Sequence, residues 1–446
     1  MNHRIRTISV TPIALVLCAC GTIKPQASPH PADTPFVMFS MSAQVPLATH
    51  RADPIVGGLA VAQEKEQGPL SPPGLAKAAG SFLGPWIVRF RALNLDNIPS
   101  YDGQTVTLRL FPDLTLSMRI DKWSPRENGH MLLGQADERG PATLAIDATN
   151  RAAGTIELEN GNVLIFHTVD GQQYVLEVDP RKFLDEKPYL ASPGDRPKTQ
   201  PPASGEAGVL RIMLVSGNDP DVCAELNSFA PFFEQQFNTV FSSNGSSVPV
   251  KISVFCSEDA LIGATLDASL ANLSQSINVD KARTKAQADL VSLIVGNATD
   301  GSGIAQYNFP ILPTDSNRPF SVVLLSPAVG ELSLVHEVGH NLGMQHDRYV
   351  LHHVDTSPCN YGSFVLNGAC PEKRTIMAEP DYCADCATCT DCTRCTGCAN
   401  PTGCGRIPVF STPPLSGVDC SDPVNGANNR AQLLVGAVEA SRFFFP

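Results

Sequence analysis

The residues best suited to chemistry lie at 336–347, which read His-Glu-Val-Gly-His-Asn-Leu-Gly-Met-Gln-His-Asp. His336 and His340 are four residues apart, so on a helix both imidazoles project from one face. This spacing suits two ligands of one tetrahedral zinc ion, with Zn–N distances near ~2.1 Å. We expect a helix over 331–342 that ends at Gly343, because glycine adopts the left-handed conformations that reverse a chain.

The reversal at Gly343 is predicted to bring His346 back as a third ligand. Three protein nitrogens leave a fourth position for water, which is typical of a catalytic zinc site. Zinc lowers the pKa of such a water toward about 7 and polarises a substrate carbonyl. Glu337 is predicted to act as general base toward this water and then as general acid toward the departing amine. The alternative is a degenerate motif that binds metal without catalysis, and the presence of Glu337 argues against it.

The whole pattern resembles the zinc-binding motif of the metzincin metalloproteases, and the final Asp347 resembles the reprolysin/adamalysin branch and its bacterial relatives. The resemblance implies that Gly343 and Asp347 support the site and that substrate lies extended along a sheet edge. It also implies a methionine turn, with Met377 packed beneath the histidines and not bound to metal. The alternative for Met377 is an ordinary core methionine. Glu379 stands where two sister families place a zinc-binding tyrosine, so no tyrosine ligand is assigned.

The resemblance extends over roughly residues 86–446 and is strongest at 336–347. Ser302 stands where many relatives have a cysteine, so that disulfide is predicted to be absent or rearranged. Other segments resemble the strands, the Ile-Pro segment and the final helix of bacterial members, and these are 288–295, 303–305, 406–411 and 428–430.

Domain organisation follows from composition and periodicity. Residues 81–190 contain short alternating runs separated by turn signals such as Asp170-Gly171, which predicts an antiparallel all-β domain resembling the family's propeptide. Residues 191–208 are rich in proline and glycine and are predicted to be a linker. Residues 209–446 read as an α/β metzincin-type catalytic domain. No cysteine occurs within 21–222. A latency cysteine is therefore excluded, and the first domain either blocks the cleft in another way or is a permanent accessory domain.

The N-terminus reads as an export signal. Residues 1–19 combine Arg4 and Arg6 with a short apolar run, and 17–21 read Leu-Cys-Ala-Cys-Gly, which resembles a bacterial lipobox. We therefore expect lipid on Cys20, followed by an irregular tether over 20–80, and a chain anchored at the cell envelope. The alternative is a plain secretory signal and a secreted protein.

Removal of Cys18 and Cys20 from the 14 cysteines leaves 12, an even number that suggests disulfides in an exported protein. Six of them recur at every third position over 383–398, within a cysteine-rich insertion at 383–404. A disulfide-stapled loop, a metal cluster and unpaired thiols remain alternative interpretations.

The formal charge of −12 argues against general nucleic-acid binding, which needs basic patches. The excess of acidic residues is compatible with Ca²⁺ binding but does not identify a Ca²⁺ site. The leading hypothesis is an exported zinc-dependent metalloendopeptidase that acts on protein or peptide substrates. The alternative is a non-catalytic surface protein that keeps a structural metal site and binds partners through the cysteine-rich loop.

Overall fold

The computed structural model describes residues 59–60, 80–93, 95, 102–137, 140–187, 208–298, 300–308, 319–351, 359–367, 370–380, 405–412 and 427–442. The predicted export signal with Cys20 and the insertion at 383–404 lie outside these ranges, as does nearly all of the predicted linker. Within the described ranges, no helix is long and apolar enough to cross a membrane.

The N-terminal part forms one nine-stranded sheet. Its strands are β1 (Leu59–Ala60), β2 (Ile87–Leu93), β3 (Thr105–Phe111), β4 (Leu114–Arg126), β5 (Gly129–Ala136), β6 (Gly140–Asp147), β7 (Ala152–Glu157), β8 (Val163–Val169) and β9 (Gln172–Val178). Consecutive strands from β3 to β9 pair antiparallel, β2 pairs antiparallel with β9, and β1 runs parallel to β3. The predicted all-β antiparallel architecture of this region is confirmed. At the β8–β9 turn, Asp170 and Gly171 both have positive φ, as a two-residue hairpin turn requires.

Alternation along the strands gives this sheet two apolar faces. On β8, Leu164 and Phe166 belong to a core that lies within the sheet's own region. Val163 and Ile165 point the other way and join a core that continues into the C-terminal part. The N-terminal sheet therefore packs directly against the rest of the chain.

The C-terminal part contains a five-stranded sheet in the order β11-β10-β12-β14-β13. Its strands are β10 (Leu210–Val215), β11 (Val250–Phe255), β12 (Leu290–Val295), β13 (Gly303–Ala305) and β14 (Phe320–Leu324). All neighbouring pairs are parallel except β13–β14, which is antiparallel. Every residue of β12 is buried, as expected for a parallel strand that is covered on both faces. Strand β13 lies at one edge of this sheet and next to the candidate site.

Helices cover this sheet and lead into the site. They are α1 (Pro220–Ser243), α2 (Leu266–Gln275), α3 (Ile277–Ala286), α4 (Leu325–Gly330), α5 (Ser333–Asn341), α6 (Arg348–Leu351) and α7 (Asn429–Ala440). Periodicity alone predicts one helix over 266–277, but the structure has two. Ser276 is extended with ψ 117°, ends α2, and caps α3 by accepting a hydrogen bond from the amide of Val279.

Helix α1 is the element shared by the two parts. It contacts β6, β7 and β8 of the first sheet on one side and β11 of the second sheet on the other. Its phenylalanines, including Phe229 and Phe233, are fully buried. A disulfide joins Cys223 of α1 to Cys256 after β11, with a Cα–Cα distance of 5.5 Å. Cys359 is also disulfide-bonded.

A small third sheet follows the helices, with the order β15 (Phe364–Asn367), β16 (Cys370–Arg374) and β17 (Gly405–Arg406). Strand β16 leads directly into the 375–379 segment, which passes beneath α5.

Candidate metal centre

Helix α5 carries the predicted site and is buried along its whole length. It begins after Leu332, which has a left-handed φ of 63°, a conformation that a branched side chain adopts at a cost of about 1–3 kcal/mol. It ends before Gly343, whose φ is 81°. A Cβ at Gly343 would lie 2.6 Å from the backbone oxygen of Asn308, so both the turn and the close approach require glycine.

The reversal after Gly343 brings the three predicted histidines together. The Nε2 atoms of His336 and His340 are 3.1 Å apart, those of His336 and His346 are 3.0 Å apart, and those of His340 and His346 are 2.8 Å apart. All three rings are buried, with at most 4% of the residue exposed. The structure therefore directs three ring nitrogens at one point.

Backbone carbonyls fix two of these rings. The Nδ1 of His336 lies 2.8 Å from the oxygen of Ile376, and the Nδ1 of His340 lies 2.8 Å from the oxygen of Met344. A carbonyl can only accept, so each Nδ1 carries the proton and each Nε2 presents a lone pair. Burial lowers the pKa of His336 and of His346 well below the usual range, and lowers the pKa of His340 to about 4. The imidazoles are therefore neutral at pH 7, as metal ligands must be.

Three lone pairs that point at one position repel one another, and a cation at that position would turn this repulsion into attraction. Tetrahedral coordination at ~2.1 Å places ligand nitrogens about 3.4 Å apart, so the observed separations need only a small opening. Neutral imidazole suits zinc and several other transition metals. His336, His340 and His346 form a group that could hold a metal ion.

Glu337 lies on the same helix and faces the edge strand β13. A Cβ at Gly303 would lie 2.4 Å from Oε1 of Glu337, so this carboxyl group packs against the glycine backbone. Neither oxygen of Glu337 has a hydrogen-bond partner among the described residues. Burial, and then the charge of Glu186, raise the pKa of Glu337 well above its usual range. A nearby bound cation would counter this shift, because the ion's charge favours the carboxylate.

The predicted supporting residues lie around this centre. Met377 is fully buried, and a Cβ at Gly339 of α5 would lie 2.5 Å from its sulfur, which places Met377 against the underside of the helix. Asp347 accepts one hydrogen bond from the amide of Val350 and a second, of 2.9 Å, from the amide of Glu379. Asp347 thus joins the segment after the third histidine to the methionine segment. The supporting roles of Met377 and Asp347 stay predictions.

Two glutamates reach the centre that the sequence does not single out as site residues. Oε1 of Glu379 lies 3.7 Å from Nε2 of His336 and 3.5 Å from Nε2 of His346. Glu186, from the end of the N-terminal part, forms a second group with His336 and Glu379 that could hold a metal. No sequence signal marks Glu186, and only its offset from Met377 marks Glu379.

Glu186 is held by a buried ion pair. Its two oxygens lie 2.7 and 2.9 Å from the guanidinium nitrogens of Arg406, and its Oε1 accepts a 2.7 Å hydrogen bond from Ser333 of α5. Burial alone would raise the pKa of Glu186, but the Arg406 guanidinium holds it well below the usual range. The N-terminal part therefore contributes a charged residue beside the histidine cluster.

A family model matches the part of the chain that contains the three histidines. Residues 248–347 match the family described as metallo-peptidase family M12B, reprolysin-like. This segment is thus identified as a reprolysin-like metallopeptidase domain, which confirms the resemblance drawn from 336–347. M12B metallopeptidases are zinc-dependent, and this segment contains His336, His340 and His346, which form a group that could bind a metal.

No curated protein matches the chain. Among solved structures, the chain is similar to a chaperone–substrate complex, with 13% identity and a TM-score of 0.37, over 76% of this chain and 41% of that one. It thus spans less than half the length of that structure. It is also similar to metalloproteinase-II from Bacteroides fragilis, with 16% identity and a TM-score of 0.36, over 56% of this chain and 83% of that one.

Proposed function

We propose that this chain is an exported zinc metalloendopeptidase of the metzincin type. The observation that carries the proposal is the convergence of three buried histidine Nε2 atoms, two from α5 and one from the turn after it, beside Glu337 of α5. His336, His340 and His346 would hold the metal. Bound zinc would supply Lewis-acid activation of a water and of the substrate carbonyl.

The chain's own residues move the protons. Glu337, one residue after His336, takes a proton from the attacking water onto a carboxylate oxygen. It then delivers this proton to the nitrogen of the departing amine. Its lack of a hydrogen-bond partner among the described residues supports this role, because no neighbour competes for either oxygen. Met377 and Asp347 position the histidines and take no part in proton transfer.

The substrate is proposed to be a protein or peptide that binds extended along β13 by adding a strand to the sheet. The chain's own segment 185–187 now occupies this edge. The amide of Lys187 donates to the oxygen of Gly303 over 2.9 Å, and the amide of Ser302 donates to the oxygen of Asp185 over 3.0 Å. We infer that the N-terminal part is a propeptide that keeps substrate out, so that activity requires its displacement.

Export and anchoring form part of the same proposal. The positive N-terminus, the short apolar run and the lipobox-like sequence ending at Cys20 support translocation and lipidation. The Cys223–Cys256 disulfide supports an oxidising compartment. The cell envelope is the proposed location, and secretion is the alternative. Incorporation of radiolabelled lipid into wild type but not into Cys20→Ser would support anchoring, whereas no incorporation into wild type would support secretion.

The function is tested by comparing wild type with Glu337→Ala in a peptide-library assay, before and after proteolytic removal of the N-terminal part. We expect Glu337→Ala to retain zinc and to lose activity by about 10²–10⁴-fold, the usual contribution of a general base. Glu258→Ala makes the same chemical change at an exposed position of the same domain and should match wild type. If wild type and Glu337→Ala are equally inert once the N-terminal part is removed, the non-catalytic alternative is correct.

A further inference from the structure

Glu379 is a buried carboxyl group directed at the histidine cluster. Only 2% of the residue is exposed. Its Oε1 lies within 3.7 Å of two of the three converging Nε2 atoms. Neither of its oxygens has a hydrogen-bond partner among the residues that the structure describes. An unpartnered buried carboxyl costs several kcal/mol unless something compensates it, so its position calls for a partner.

The backbone on both sides of Glu379 is fixed. Its own amide donates to Asp347 over 2.9 Å. The preceding carbonyl, of Ala378, accepts a 2.7 Å hydrogen bond from Arg374. Met377, two residues earlier, is pinned against α5. The carboxyl group therefore points at the histidines from an anchored backbone.

The nearby cations are otherwise engaged. Arg406 pairs with Glu186, and Arg374 pairs with Glu331. The Nδ1 atoms of His336 and His340 donate to backbone carbonyls, so their Nε2 atoms present lone pairs and not N–H groups to the centre. A divalent metal held by the same Nε2 atoms would supply the missing positive charge. Carboxylate oxygens bind zinc at about 2.0–2.2 Å, so an oxygen 3.5–3.7 Å from two ligand nitrogens is close enough to share the ion with them.

We propose that Glu379 binds the metal as a fourth protein ligand in the form of the chain described here. This inference rests on the metal site of the proposed function, but not on its catalysis. Four protein ligands close a zinc site, whereas three leave room for water. With Glu379 bound, the site would be in a resting form, and Glu379 would have to give up the fourth position before a water could take it.

The test uses the full-length chain with cobalt in place of zinc, because cobalt absorption reports coordination directly. A small anion such as azide binds an open position and shifts the spectrum. We expect azide to leave the wild-type spectrum unchanged and to shift that of Glu379→Ala. Glu337→Gln, a change at the other buried carboxyl of the site, should remain insensitive to azide like wild type. Azide shifting the wild-type and Glu379→Ala spectra equally would overturn the proposal.

Zinc affinity separates a ligand from a mere neighbour. Loss of a residue that only supports a ligand lowers metal affinity by about 10–100-fold, so we expect Glu379→Ala to lose more than this in competition with a chromophoric chelator. A smaller loss would refute coordination. If Glu379→Ala does not fold, wild type alone still decides, since its own response to azide reports an open or closed site. Failure of the proposed catalysis alone looks different, because wild type would then bind zinc in a closed site but cut no peptide. A wild type that binds no zinc would overturn both proposals.

Discussion

The three histidines form a metal site because their neighbours settle which nitrogen is protonated. Two Nδ1 atoms donate to carbonyls of Ile376 and Met344, which lie outside the helix that carries His336 and His340. Such partners fix both the tautomer and the ring orientation. The ligand geometry therefore depends on the turn after α5 and on the methionine segment as much as on the motif.

The turn at Gly343 provides a residue-scale prediction. Gly343→Ala places a Cβ in a left-handed conformation, at φ 81°, and against the backbone oxygen of Asn308. Gly103→Ala is the control, because Gly103 has a similar φ of 79° and its Cβ would meet nothing within 4 Å. We expect Gly103→Ala to cost about 1 kcal/mol of unfolding free energy and Gly343→Ala about 1–3 kcal/mol more, with weaker zinc binding. Urea unfolding and chelator competition measure both. Equal losses in the two variants would mean that the contact with Asn308 is unimportant.

At the residue scale the sequence predicts the histidines, Glu337, Gly343, Asp347 and the methionine turn, because short fixed offsets on one helix and turn bring most of them together. It does not predict Glu186. This residue reaches His336 from 150 positions away in sequence, through the packing of one part of the chain on the other. A single glutamate in an ordinary segment carries no local signal of such an approach.

At the scale of elements, the 185–187 segment and β13 determine whether the edge of the second sheet is open to another strand. Both are short, and neither has the periodicity by which longer elements are recognised. The segment is held by two backbone hydrogen bonds to 302–303 and by the buried pair of Glu186 and Arg406. The edge of the sheet that would accept a substrate strand is therefore closed by one charged residue and its backbone neighbours.

Glu186→Ala tests this closure. The variant leaves the buried Arg406 without its carboxylate partner, and such a loss typically costs 3–5 kcal/mol. We expect a fall of about this size in unfolding free energy, and a higher rate of peptide cleavage because the segment is released from β13. The exposed pair of Arg119 and Asp121 is the control, and Asp121→Ala should cost no more than about 1 kcal/mol. The closure hypothesis fails if Glu186→Ala cleaves peptide no faster than Asp121→Ala, whatever its unfolding free energy.

Elements with strong patterns were predictable, and those with competing signals were not. Helix α1 stands where helical periodicity predicts it, β12 stands where a nearly continuous apolar run predicts a strand, and β11 stands where apolar and polar residues alternate. Strands β5 and β6 carry several glycines and a proline, which weaken any strand signal, yet they pair with each other along their whole length without a register shift. Tertiary pairing decides their conformation.

At the scale of the whole molecule, the predicted domain boundary does not separate two cores. Composition predicts a linker over 191–208, but it cannot reveal that one face of β8 packs against α1. Val163 and Ile165 belong to the same apolar core as Phe229 and Phe233 of that helix. Each buried side chain of this kind contributes about 1.5–3 kcal/mol, so separating the parts would expose a large apolar surface.

This shared core predicts that cutting the chain is not enough to activate it. A site-specific protease sequence introduced within 191–207 allows the chain to be nicked there. We expect the two fragments to co-elute in size-exclusion chromatography in buffer and to separate in urea, because α1 keeps the first sheet bound. Peptidase activity should stay low while they remain associated, since 185–187 still pairs with Gly303. It should rise when the N-terminal fragment is degraded. The uncut insertion variant is the control, and full activity in a nicked but undissociated complex would show that 185–187 does not block the cleft.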